Sequence, residues 1–165
     1  MISDSCYDPR DLTNCAVKLF QRYKILYPFL LFGATRAAVQ DTARALSRIV
    51  GGEVIWVHAG LTSDVRMAML EAIRDGEVLG AAVTDVWSTG VDIPCLRTII
   101  IGCGGSAPIG LIQRFGRGTR ALFGIKGEYT VYDLPIGGRQ WRRHRQKRLQ
   151  SYRSCGLHVH VRGAS

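Results

Sequence analysis

The segment Phe29-Leu30-Leu31-Phe32-Gly33-Ala34-Thr35-Arg36 passes within eight residues from an apolar run to a glycine and the start of a helix. Consecutive apolar residues are typical of a strand buried on both faces, and Thr35 is a residue type that caps helices. Further short apolar runs predict strands at 54–58, 79–84, 98–101 and 129–132. Strands that alternate with amphipathic helices predict an α/β domain, with a parallel sheet of about five to six strands and helices on both faces.

Helical flanks are expected on both sides of this α/β body. We assign residues 1–27 to a lead-in helix, 28–135 to the body and 136–165 to a basic helical tail. With 165 residues, 47% of them apolar and 21% charged, the chain has the size and composition of one globular domain. It is too short for two nucleotide-binding lobes side by side. No segment approaches the roughly 20 apolar residues of a membrane span, so we expect none.

The five cysteines are an odd number and include no Cys-x-x-Cys pair. Together with an N-terminus that lacks an apolar core, they predict reduced thiols and a cytoplasmic protein, or one of the host-cell cytoplasm if the source is a phage. Cys155, His158 and His160 lie near the end of the chain, and we expect no metal site there.

The net charge of +9 is concentrated after Asp133, the last acidic residue of the chain. This distribution predicts a polyanionic partner, and nucleic acid is preferred over an anionic membrane surface or a merely solvated helix. Within the tail, Arg142, Arg143 and Arg145 are the candidate phosphate contacts. The eight basic residues after Asp133 are Arg139, Arg142, Arg143, Arg145, Lys147, Arg148, Arg153 and Arg162.

The most specific motif is Gln113-Arg114-Phe115-Gly116-Arg117-Gly118-Thr119-Arg120. Arg117 and Arg120 are three residues apart, so on a helical turn they project from one side. Two guanidinium groups that face one way suit the oxygens of a phosphate chain better than lysines do. The alternative is a pair of surface arginines on a glycine-rich loop.

Three loops follow predicted strands and carry polar groups: 33–36, 58–60 and 84–94. The carboxyl ends of parallel strands share one edge of a sheet, where ligands bind, and helix N-termini at that edge suit phosphates. Ordinary turn chemistry is the alternative reading of these loops, and His58 is interpreted as structural.

In this order the segments resemble the second RecA-like lobe of superfamily 2 helicases and translocases, over residues 28–134. The segment 32–36 looks like motif IV, the loop 58–60 with Arg66 and Gly76 resembles the stretch between motifs IV and V, 84–94 resembles motif V, and 113–120 resembles motif VI. The resemblance implies that the body is a single RecA-like domain.

The resemblance also implies roles for individual residues. Arg117 and Arg120 would act as arginine fingers on ATP with Mg²⁺, shared with a first lobe, and Asp92, Gly90 and Gln113 would complete the nucleotide contacts. The implied nucleic-acid contacts are Thr35, Arg36, Gly60 and Thr84. Gln113 stands where DEAD-box proteins have histidine, so we expect DNA rather than RNA, as for phage-type and restriction-type DNA helicases.

The sequence departs from a complete helicase in one respect. It contains no G-x-x-x-x-G-K-[ST] phosphate loop and no Asp-Glu pair. We therefore expect half of a motor, inactive alone, whose partner lobe is supplied in cis or in trans. The alternatives are a non-enzymatic nucleic-acid-binding module derived from a helicase lobe and a domain that covers a partner lobe.

Overall fold

The computed structural model describes residues 9–87, 93–103, 129–136, 139–156 and 158. Within them lie four helices, α1 (Pro9–Arg22), α2 (Arg36–Val50), α3 (Ser63–Arg74) and α4 (Arg139–Ser154). The strands are β1 (Phe29–Gly33), β2 (Val54–Val57), β3 (Gly80–Val83), β4 (Thr98–Gly102) and β5 (Thr130–Asp133). A short 3₁₀ helix, Asp85–Trp87, follows β3.

The five strands form one sheet in the order β2-β3-β1-β4-β5, and every pairing is parallel. The central strand β1 is buried along its whole length, as an apolar run without alternation predicts. The expected α/β class with a parallel sheet is confirmed. Each of the five strand segments identified from the sequence matches an observed strand to within a residue or two.

The helix ends follow from local side-chain chemistry. The Thr35 hydroxyl accepts a hydrogen bond from the Ala38 N–H, and the Thr62 hydroxyl accepts one from the Val65 N–H. Both threonines satisfy an amide that the first turn of a helix leaves unpaired. Gly51 ends α2 with a φ of +69°, in the left-handed region that glycine adopts without strain.

Alternate residues of β1 divide the core between the two faces of the sheet. Phe29 and Leu31 pack with the buried faces of α1 and α2, whereas Leu30 and Phe32 belong to a cluster that includes Ile73 of α3. This second cluster also contains Tyr152 of α4, with Leu149 packed against it. Helices therefore cover both faces of the sheet, and the basic helix α4 is one of them.

One of the eight basic residues of the predicted tail, Arg148, is buried and so does not belong to its cationic surface. This side chain is 1% exposed, and its guanidinium pairs with Asp133 at the end of β5. Tyr152 also donates a hydrogen bond to Asp133, at 3.0 Å. Polar and apolar contacts together fix α4 on the sheet. The periodicity of the helix alone does not show which of its arginines pairs with Asp133.

In the part of the chain that the structure describes, none of the helices combines the length and hydropathy that crossing a bilayer requires.

Candidate nucleic-acid interface

The carboxyl ends of β2, β3 and β1 lie side by side because these strands are neighbours in a parallel sheet. The loops that leave them carry Gly60, Thr84 and the pair Thr35 and Arg36. Helices α2 and α3 both begin at this edge, so the unpaired N–H groups of their first turns lie nearby. The structure thus brings four of the expected nucleic-acid contacts to one edge of the sheet.

Arg36 is the exposed cation of this edge, and an aromatic ring supports it. Its guanidinium carbon lies 6.0 Å from the centroid of the Trp56 ring. A guanidinium over an indole face gains electrostatic attraction and loses part of its freedom. Arg36 is therefore partly pre-organised while it stays exposed to solvent.

Gly60 lies directly against the ring of His58. The Gly60 N–H donates to His58 Nδ1 at 3.0 Å, and a Cβ built on Gly60 would lie 2.9 Å from two ring atoms. The same Cβ would be 3.8 Å from an Nη atom of Arg36. The loops that follow β1 and β2 therefore converge at Gly60, which stands beside the guanidinium of Arg36.

Thr35 and Thr84 contribute hydroxyl groups with different degrees of exposure. Thr35 is exposed, and its hydroxyl oxygen caps α2, which leaves the hydroxyl hydrogen able to donate to another group. Thr84 is half-buried, and its backbone N–H donates to the Val57 carbonyl at 3.1 Å. This bond joins the end of β3 to the end of β2 and so fixes the position of Thr84 at this edge of the sheet.

The residues expected to contact a nucleotide lie outside the described ranges. This applies to both motif VI arginines, Arg117 and Arg120, and to Gly90, Asp92 and Gln113. Their roles stay predictions that follow from the resemblance.

The basic helix contributes unequally to a cationic surface. Arg143 is exposed, Arg145 is half-buried, and Arg148 is buried in its pair with Asp133. Arg142 lies in α4, but its side chain is outside what the structure describes. Of the three expected tail contacts, Arg143 is the one whose side chain is exposed among the residues that the structure describes.

Trp56 is a structurally important residue that was not predicted from the sequence. Trp56 stacks on His58 with ring centroids 5.4 Å apart and planes 12° apart. Its signal in the sequence is an aromatic residue two positions before the histidine, on the same face of β2. Asp133 stands out in the sequence as the last acidic residue before the basic tail, but its pairing with Arg148 was not predicted.

The family model for the helicase conserved C-terminal domain matches residues 13–122 of the chain, which is more than half of its length. The chain belongs to this family. This confirms the resemblance to a RecA-like second lobe. The fold is similar to part of the structure of S. cerevisiae Dbp5 bound to RNA and ADP BeF3, with a TM-score of 0.61 and 20% identity. The match covers 90% of this chain and 38% of that one.

A structure of the C-terminal domain of the DEAD-box protein Dbp5 has a TM-score of 0.67 to the present domain and 19% identity. It covers 92% of this chain and 82% of that chain. Among curated proteins, the ATP-dependent RNA helicase dbp-10 of Neurospora crassa is 32% identical over 95 residues, which are 58% of this chain and 10% of that protein. The ATP-dependent rRNA helicase RRP3 of Scheffersomyces stipitis is 32% identical over 111 residues, 65% of this chain and 22% of that protein.

The expectation that DNA is favoured over RNA is wrong. It depended on Gln113 alone, whereas the similar curated proteins named above are RNA helicases. Gln113 is a poor discriminator because RNA differs from DNA in the 2′-hydroxyl of its sugar, whereas Gln113 is expected to contact the nucleotide rather than the strand. The domain spans only a tenth to about a fifth of those two relatives.

Proposed function

We propose that this domain is the strand-gripping second lobe of an RNA helicase motor. Its substrate is the backbone of single-stranded RNA, held at the edge formed by the carboxyl ends of β2, β3 and β1. The observation that carries the proposal is the convergence of Arg36 and Gly60 at this edge, where a Cβ built on Gly60 would lie 3.8 Å from an Nη atom of Arg36.

The chemistry of the edge supports a phosphate ligand. Arg36 offers a fork of N–H donors that matches phosphate oxygens, and Gly60 lets the backbone approach closely because it has no side chain. Thr35 can donate its hydroxyl hydrogen to the same ligand. Three neighbouring loops can each contact one phosphate of a strand that runs across the sheet edge.

The second half of the proposal concerns ATP, which with Mg²⁺ supplies phosphoryl transfer when a first lobe binds it. Arg117 and Arg120 of this lobe then neutralise charge on the phosphates, with Asp92, Gly90 and Gln113 beside them. Arginine fingers in other nucleotide hydrolases raise the rate on the order of 10³ to 10⁵. Family membership supports this half, and so does the absence of a phosphate loop from the sequence. A cytoplasmic location is part of the same proposal.

Strand binding is tested with a short labelled single-stranded RNA whose anisotropy is followed as the protein is added. Arg36→Ala is expected to weaken binding several-fold and to make the slope of log affinity against log salt shallower by about 0.7, the value for one phosphate of a single strand. The matched control is Arg44→Ala, which removes another exposed arginine from α2, about two turns further on.

Equal losses of affinity in the two variants would mean that Arg36 contributes only non-specific charge, and would contradict the proposed binding edge.

ATP hydrolysis is tested with the chain alone and mixed with a first lobe. We expect no turnover by the chain alone, and turnover in the mixture that Arg120→Ala abolishes while RNA binding persists. RNA binding in a mixture that never hydrolyses ATP would favour the non-enzymatic module.

A further inference from the structure

We infer that His58 is a pH-sensitive positioning residue for the strand-binding edge: its neutral ring holds the Gly60 amide in place, and its protonation releases the loop and weakens RNA binding. The inference rests on the proposed function, because the loop is taken to contact a phosphate of the RNA. His58 itself is not proposed to touch the strand.

The hydrogen bond to Gly60 fixes the protonation state of His58. Nδ1 accepts the Gly60 N–H at 3.0 Å, and only a nitrogen without a proton can accept. The neutral ring must therefore carry its hydrogen on Nε2. That atom is buried and has no hydrogen-bond partner among the residues that the structure describes.

The bond closes a turn that has a close analogue in asparagine chemistry. A side-chain oxygen of Asn or Asp often accepts the N–H two residues later, which forms an Asx turn. His58 makes the same contact with Gly60, and the Leu61 N–H adds a bond to the His58 carbonyl at 3.2 Å. The hydrogen bond to Gly60 therefore couples the position of the ring to that of the loop, and the ring lies so close that a Cβ built on Gly60 would be 2.9 Å from two of its atoms.

The surroundings of His58 oppose a positive charge. The residue is 5% exposed, its ring stacks on the uncharged Trp56 of β2, and α2 contributes the positive charge of Arg36. Burial, and then the charge of Arg36, lower the pKa of His58. The ring is therefore neutral near pH 7 and becomes charged only below its ordinary value of about 6.5.

Protonation reverses the contact that holds the loop. A proton on Nδ1 would face the Gly60 N–H, so two donors would oppose each other, and the imidazolium would stand close to Arg36. The net contribution of one such hydrogen bond corresponds to about a fivefold change in an equilibrium constant. We expect RNA affinity to fall by about this factor as His58 becomes charged, relative to a variant that keeps the turn at every pH.

That variant is His58→Asn, whose side-chain oxygen can accept the Gly60 N–H as in an Asx turn but does not titrate. Anisotropy with labelled single-stranded RNA at constant salt is measured between about pH 7.5 and about pH 4.5, a range that extends well below the ordinary pKa of histidine because burial and Arg36 lower the pKa of His58. The ratio of wild-type affinity to His58→Asn affinity should fall about fivefold over this range. His58→Leu, which lacks an acceptor, should bind weakly throughout.

His144→Asn is the matched control, since His144 is an exposed histidine on the basic helix α4. The ratio of His144→Asn affinity to His58→Asn affinity should fall with pH in the same way as the ratio measured for the wild type. Parallel pH profiles for wild type and His58→Asn would overturn the inference, as would a normal affinity of His58→Leu near neutral pH.

Nuclear magnetic resonance of the wild-type chain gives a readout that needs neither RNA nor a variant. The Nδ1 shift of His58 should be that of an unprotonated nitrogen near neutral pH, and the Gly60 amide signal should titrate together with the His58 ring. If the wild type does not bind RNA near neutral pH, the proposed function fails, whereas a Gly60 amide that ignores the titration of His58 overturns the switch alone.

Discussion

Arg148 donates two hydrogen bonds to Asp133, from Nε to Oδ2 at 2.9 Å and from Nη2 to Oδ1 at 3.0 Å. This bidentate pair joins the last residue of β5 to the third turn of α4, with the arginine 1% exposed. Burial alone lowers the pKa of Arg148, but the hydrogen bond and charge of Asp133 raise it overall. Arg148, one of the eight basic residues of the predicted tail, thus forms an internal ion pair.

The first prediction is that Arg148→Met destabilises the domain by about 3 kcal/mol, because it leaves Asp133 largely buried without its partner. The free energy of unfolding in urea measures this. Arg143→Met removes an exposed arginine from the same helix and should change stability by no more than about 0.5 kcal/mol. The double variant Asp133→Leu/Arg148→Met should regain much of the loss, since it removes both charges. Equal stabilities for the two single variants would show that the pair contributes nothing.

The second prediction concerns alkaline pH. Burial, together with the charge and hydrogen bond of Asp133, raises the pKa of Tyr152. A raised folded pKa means that this contribution to stability is fully present below about pH 10, the ordinary value for tyrosine, and is lost as pH rises further.

Tyr152→Phe should therefore lower the free energy of unfolding by about 1 kcal/mol near neutral pH, because a hydrogen bond is lost. Above about pH 10, its free energy of unfolding should fall less steeply with pH than that of the wild type. Chemical denaturation at several pH values measures both effects. Tyr27→Phe, at an exposed tyrosine, is the control and should follow the wild type. A Tyr152→Phe curve that keeps the full alkaline loss would assign that loss to another group.

The third prediction tests how α1 is seated on the sheet. A Cβ on Gly102 would collide with the Leu12 side chain and lie 2.9 Å from the Phe32 carbonyl oxygen of the neighbouring strand. Since backbone cannot yield as a side chain does, Gly102→Ala should destabilise by about 1–3 kcal/mol.

Thermal unfolding of Gly102→Ala, Leu12→Ala and the double variant forms a cycle. The double variant should cost less than the sum, because the smaller residue at position 12 removes one of the two collisions. Strict additivity would mean that the helix and the glycine are not in contact in solution.

The fourth prediction couples Gly60 to His58. Gly60→Ala should weaken RNA binding because its Cβ, 2.9 Å from the ring, displaces the imidazole that holds the loop. In a His58→Asn background the same substitution should cost less, since the ring is absent. Affinities of the four proteins give the interaction energy directly. An equal loss in both backgrounds would place the effect of Gly60→Ala in the strand contact itself.

Local rules predicted those parts of the structure that depend on neighbouring residues. The apolar runs at 29–32 and 98–101 are strands, and the threonine at position 35 is an N-cap. Burial on both faces leaves a continuous apolar run, and a cap needs only the next three residues. The fold class was therefore accessible from sequence.

Contacts between distant positions were not accessible in the same way. Nothing in the spacing of the basic helix distinguishes Arg148 from Arg145, because the choice depends on where β5 places Asp133. Likewise, the stack of Trp56 under Arg36 joins two elements through the sheet order. Such pairs require the topology before they can be identified.

The packing of α4 on the sheet determines what a truncation of this domain removes. Truncation at residue 138 would strip Tyr152 and Leu149 from the apolar cluster and leave the Asp133 carboxylate without either of its donors. A loss of RNA affinity after such a truncation would have two causes, the loss of positive charge and the loss of core packing against the sheet. Neutralising exposed cations singly, with the helix left intact, separates the two causes.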